Sequence, residues 1–140
     1  MLFRSQSPFG QELLCFDLDT GNTKWRRRYA FPWEPDGLYP GPFATPTIDG
    51  DRVFFADCFG KVLCSDLSTG ALLWQFDVVE RLRAEGVDFG YSAVPLVVDG
   101  RVYCPAPAAK SDALALALDS KSGEMLWATG RSRQIGRAHV

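Results

Sequence analysis

Three stretches of this 140-residue chain set a carboxylate, hydroxyls and an indole at fixed spacing: DLDTGNTKW from Asp17, DLSTGALLW from Asp66 and DSKSGEMLW from Asp119. In each, a glycine (Gly21, Gly70, Gly123) stands four residues after the aspartate and a tryptophan (Trp25, Trp74, Trp127) eight after it. A carboxylate beside Ser or Thr hydroxyls has the makings of a hard-cation ligand set or of an acid–base pair. The cation option fails on spacing. DLDTGN opens like an EF-hand loop, but its fifth position is Gly21 and its twelfth Arg28, and neither is a ligand.

The other metal-ligating residues are no better placed. Five residues lie between Cys58 and Cys64, which is not a C-x-x-C spacing, and the sole histidine is His139. Cys15 and Cys64 hold the same place in two copies of the motif, where the third has Ala117. A small buried residue explains that position better than a disulfide does. No catalytic and no metal-binding constellation is legible.

Threefold repetition gives the motif a local explanation instead. The glycines are 49 and 53 residues apart, and so are the tryptophans. Upstream, ATPTIDGDRVFF from Ala44 and AVPLVVDGRVYC from Ala93 are also 49 apart. A period near 50 signals a solenoid or propeller. The middle copy reads as four short strands at 45–48, 52–56, 61–65 and 72–77, joined by tight turns and therefore antiparallel. In the turn between the last two, Asp66 accepts backbone hydrogen bonds, Ser68 and Thr69 are tolerated, and Gly70 supplies positive φ. Period-two alternation places Leu72, Trp74 and Phe76 on one face of the outer strand, and a sheet next door must cover it. The third copy follows with a longer loop at 105–112. The first supplies only strands at 2–4, 12–16 and 23–28, without the innermost. Residues 78–86 have the makings of about two helical turns.

Composition agrees with a folded domain and excludes some classes. Apolar residues make up 46% and aromatics 13%, ample for a core, and the net charge is −2. The basic groups Arg26–Arg27–Arg28 and Arg81 with Arg83 are too small for a nucleic-acid surface and read as solvated strand ends. No apolar run approaches the ~18 residues of a membrane span, and Met1 opens no signal segment. Any export signal is expected outside this chain. IGRAHV at 135–140 resembles one translated frame of a sequencing adapter, so the chain reads as a gene fragment: repeat pieces at 1–28, 44–77 and 93–130, then a tail at 131–140.

The combination TPxxDGxRV followed by GKVLCxDLxTGxLLW resembles the pyrroloquinoline-quinone-like repeat over roughly residues 2–130. The family includes quinoprotein dehydrogenases, an outer-membrane assembly lipoprotein and many exported bacterial propellers. The resemblance implies an all-β fold: a partial β-propeller of four-stranded antiparallel blades, about two and a half of an expected eight, akin in architecture to WD repeats. It also implies a periplasmic or extracellular, secreted protein. In the dehydrogenases the quinone sits on a calcium ion, often beneath a disulfide between adjacent cysteines. Here no two cysteines are adjacent, and no C-x-x-C-H haem site occurs. Pyrroloquinoline quinone with calcium is thus an implication of the family alone.

In such a blade, the connections into the innermost strand and the turns between second and third strands share a face. Here these are 29–43 and 78–92, with the turns 57–60 and 105–112. Long unrepeated loops on a rigid scaffold are where recognition concentrates. The candidate surface is Tyr29, Phe31, Trp33, Tyr39, Asp88 and Tyr91, with the competing reading that the aromatics cover a seam between blades. The expected function is a non-catalytic scaffold binding a protein or small molecule. The alternatives are a quinone- and calcium-dependent alcohol or sugar dehydrogenase, and the extracellular sensor of a receptor or kinase.

Overall fold

The computed structural model describes residues 1–7, 9–30, 44–84, 91–106 and 113–130, with the backbone alone for 3–7. Eleven strands among these residues form three antiparallel sheets. The first holds β1 (Leu2–Ser7), β2 (Gly10–Phe16) and β3 (Thr23–Ala30), in that order. The second holds β4 (Thr47–Asp49), β5 (Arg52–Ala56), β6 (Lys61–Asp66) and β7 (Leu72–Asp77). After α1 (Val78–Arg81) the third repeats the plan with β8 (Leu96–Val98), β9 (Arg101–Pro105), β10 (Ala115–Asp119) and β11 (Met125–Thr129). This is the partial propeller that the repeat implies.

The sheets are blades because the middle one is buried on both sides. On β5 and β6, Phe54, Ala56, Val62 and Cys64 pack toward the third sheet, while Val53, Phe55 and Leu63 pack toward the first. That is why RVFFA and KVLCS read as nearly unbroken apolar runs rather than alternating ones. Cys15, Cys58, Cys64 and Cys104 are all buried free thiols. Cys15, Cys64 and Ala117 each lie directly across the ladder from a repeat tryptophan, where a large side chain would have no room.

Two local expectations need correction. Leu72 does not share the buried face of Trp74: it is exposed, as is Leu73. The cause is a β-bulge between Cys64 and Ser65, which puts one extra residue on β7 and breaks the alternation. The same bulge recurs at Cys15/Phe16 and at Ala117/Leu118. The helix is also shorter than two turns. Asp77 caps it by accepting from the Glu80 N–H at 2.9 Å, and Arg83 at φ 49° ends it in the left-handed region.

Candidate recognition site on the loop face

The three aspartates are spent within their turns. Asp66 Oδ1 accepts from the N–H groups of Ser68 and Thr69 (2.9 Å each) and from both hydroxyls, while Gly70 N–H closes the turn onto the Asp66 carbonyl. Thr69 Oγ1 in turn accepts from Ala71 N–H at 3.2 Å, so the hydroxyl is a working part of the turn and not merely compatible with it. Asp17 and Asp119 repeat the pattern with Thr20 and Ser122. These donors hold all three carboxyls below the usual range, led by Thr20 N–H at Asp17, the Ser68 hydroxyl at Asp66 and Ser122 N–H at Asp119. Ion pairing is secondary; Lys24 lies 3.6 Å from Asp17.

The tryptophans join one blade to the turn of the next. Trp25 Nε1 donates to the Leu67 carbonyl at 2.9 Å, and Trp74 Nε1 to the Ser120 carbonyl at 3.0 Å. Each ring packs against the turn glycine: a Cβ on Gly70 would stand 2.6 Å from Trp25, and one on Gly123 2.6 Å from Trp74. These glycines are therefore fixed twice over, by φ of +74° and +75° and by the ring. Gly21, with φ +72°, has nothing within 4 Å. Trp127 remains 39% exposed, against 9% for Trp74, since no further turn among the described residues meets it. Arg52 adds hydrogen bonds to the Ser120 and Lys121 carbonyls at 3.1 and 3.0 Å, a seam contact that its place after the DGD turn did not announce.

At the opposite end of the blades, the turn β5–β6 meets the chain leaving β7: Val78 N–H donates to the Gly60 carbonyl, and Tyr91 N–H to that of Cys58. Of the candidate surface residues, Phe31, Trp33, Tyr39 and Asp88 lie outside the described residues. Tyr91 is not a surface residue. Its ring sits in the core between the second and third sheets, and its hydroxyl donates to the Pro105 carbonyl at 2.7 Å. Burial pushes the phenol's pKa up, and does the same for the Cys104 thiol, to about 12, and the Cys64 thiol, to about 11. Tyr29 is half buried, its ring edge-on to Phe55 at 4.9 Å and 70°.

Tyr29 does, however, line a cavity of about 490 Å³ between the first two blades, together with Phe9, Arg28, Asp57, Phe59 and Lys61. Phe9 and Phe59 come from like positions, each followed by a glycine, where β1 turns into β2 and where β5 turns into β6, and are 74% and 39% exposed. Those paired Phe–Gly turns are the signal that sequence reading passed over. Asp57, only 2% exposed, accepts from Phe59 N–H at 2.9 Å and Lys61 N–H at 2.8 Å, and burial raises its pKa. Gln11 ties the two turns together by accepting from Cys58 N–H at 3.2 Å. No group of three His, Cys, Asp or Glu suited to a metal ion occurs among the described residues. With the repeat aspartates held by their turns and no adjacent cysteines, the described residues do not fit a calcium-backed quinone.

The model of the outer membrane protein assembly factor BamB family matches residues 10–139. No curated protein matches the chain. Among solved structures, BamB from Moraxella catarrhalis is similar at 24% identity and TM-score 0.63, a europium-containing methanol dehydrogenase at 18% and 0.60, and the quinohemoprotein alcohol dehydrogenase of Comamonas testosteroni at 16% and 0.59. Each likeness covers 90% of this chain but only 31%, 22% and 19% of the other, so the chain spans under a third of the length of these proteins. At these identities the structures speak for the fold. Repeat, blades and family model converge: the chain belongs to the pyrroloquinoline-quinone-like repeat family of the outer membrane protein assembly factor BamB.

Proposed function

We propose that the chain is part of an exported, non-catalytic propeller that binds a partner or ligand on its loop face. The observation that carries this reading is the pair of exposed phenylalanines, Phe9 and Phe59, at like positions beside a cavity. Exposed aromatic rings on hairpin turns beside a cavity suit recognition. Similarity to the BamB family supports a binding role, and that family's name also supports placement outside the cytoplasm. Likeness to the two dehydrogenases is what supports a catalytic alternative, and it reaches the fold alone.

The complete protein, given pyrroloquinoline quinone and Ca²⁺ and assayed for dye reduction with alcohols and sugars, separates the two. No dye reduction is expected. Turnover that depends on the quinone would overturn the scaffold reading.

A further inference from the structure

We infer that the cavity between the first two blades takes a small aromatic carboxylate. The inference rests on the scaffold reading and names the ligand class for that face. The walls supply the ring site. Tyr29 is held in place by Phe55, and Phe9 and Phe59 flank the opening. Ring against ring, offset or edge-on, is the preferred geometry for such a slot. Its volume of about 490 Å³ lies in the range of small-molecule sites.

The charges choose the sign. Among the described residues the ion pairs are Lys24 with Asp17 and Arg26 with Glu12, and neither Arg28 nor Lys61 takes part in one. Arg28 spends one nitrogen on the Phe9 carbonyl, at 2.9 Å, which fixes the guanidinium beside the opening and leaves its other donors. Asp57 is the opposing charge. It is buried, its Oδ1 is occupied by two backbone N–H groups, and it repels a carboxylate placed deep in the cavity. The ligand's carboxylate therefore belongs with Arg28 and Lys61, with its ring between the aromatic walls. A cationic ring compound would face two positive side chains against one carboxylate already engaged.

The test titrates the complete protein by calorimetry with phenylacetate, phenethylamine, acetate and a short peptide ending in phenylalanine. Saturable phenylacetate binding is expected, at least about tenfold tighter than acetate, the amine or the peptide. Lys61→Gln should weaken it about tenfold and Phe59→Ser several-fold, with the melting midpoint unchanged. Phe9→Ser, at a side chain mostly in solvent, provides a second ring variant if Phe59→Ser unfolds the turn. Absence of phenylacetate saturation below roughly 10 mM overturns the assignment. So does equal or tighter binding of the amine or the peptide, and so do variants that bind like the parent. The quinone assay is independent of all these outcomes: dye reduction would sink the scaffold reading whatever phenylacetate does.

Discussion

Alanine at the three turn glycines should produce two different costs from one backbone conformation. Gly21, Gly70 and Gly123 share φ of +72°, +74° and +75°, so each substitution meets the same left-handed strain, roughly 1–2 kcal/mol. At Gly21 that is the whole effect, because the new methyl finds nothing within 4 Å. At Gly123 the methyl would stand 2.6 Å from Trp74, where carbon atoms normally rest no closer than about 3.5 Å. The indole must withdraw by about 1 Å, which stretches its 3.0 Å hydrogen bond to Ser120. Overpacking of this kind adds roughly 1–3 kcal/mol, so Gly123→Ala and Gly70→Ala should cost about 2–5 kcal/mol in total. Urea denaturation of a soluble preparation containing all three repeats reads the difference. A double-mutant cycle assigns the cause: in a Trp74→Leu background, Gly123→Ala should fall to the cost of Gly21→Ala. Equal costs at all three glycines, or no coupling to Trp74, would refute the ring-on-glycine account.

Trp74→Ala should cost roughly 3–5 kcal/mol and Trp127→Ala distinctly less, since only the first indole is covered; a Trp74 loss below about 1 kcal/mol on denaturation contradicts the seam. Asp17, Asp66 and Asp119 have folded-state pKa values below the unfolded value of about 3.9, so their contribution is complete above that pH and is lost as the pH falls through the folded values. Asp66→Asn should therefore flatten the acid limb of a plot of urea midpoint against pH, and an unchanged limb would remove the turn carboxylate from the account. The four free cysteines are buried, so a thiol reagent should label none in the folded protein and all four in urea; rapid labelling without denaturant would contradict their placement.

The repeat period, the strand bounds within a few residues, the hairpin glycines and the place of the turn aspartates were legible because each follows from chain-local rules. Positive φ asks for glycine, a short turn asks for an Asx side chain, and a period near 50 asks for stacked sheets. Alternation failed at Leu72 because the bulge that displaces it depends on a neighbouring strand, and a strand read alone does not reveal its extra residue. Tyr91 looked like a loop aromatic because the groups that hold it, the Pro105 and Cys58 carbonyls, lie far from it in the chain and on two different sheets or their turns. The pairing of Phe9 with Phe59 left a trace in the sequence, two Phe–Gly pairs one repeat apart, but only blade stacking sets them at one cavity.

Sequence alone thus determined the unit and its number of copies, since turns and strand lengths answer to nearby residues. Tertiary structure decided which tryptophan is covered, which tyrosine is lost to the core and where two phenylalanines and two cations meet. Those outcomes depend on packing between blades, and packing couples residues that the chain order keeps far apart.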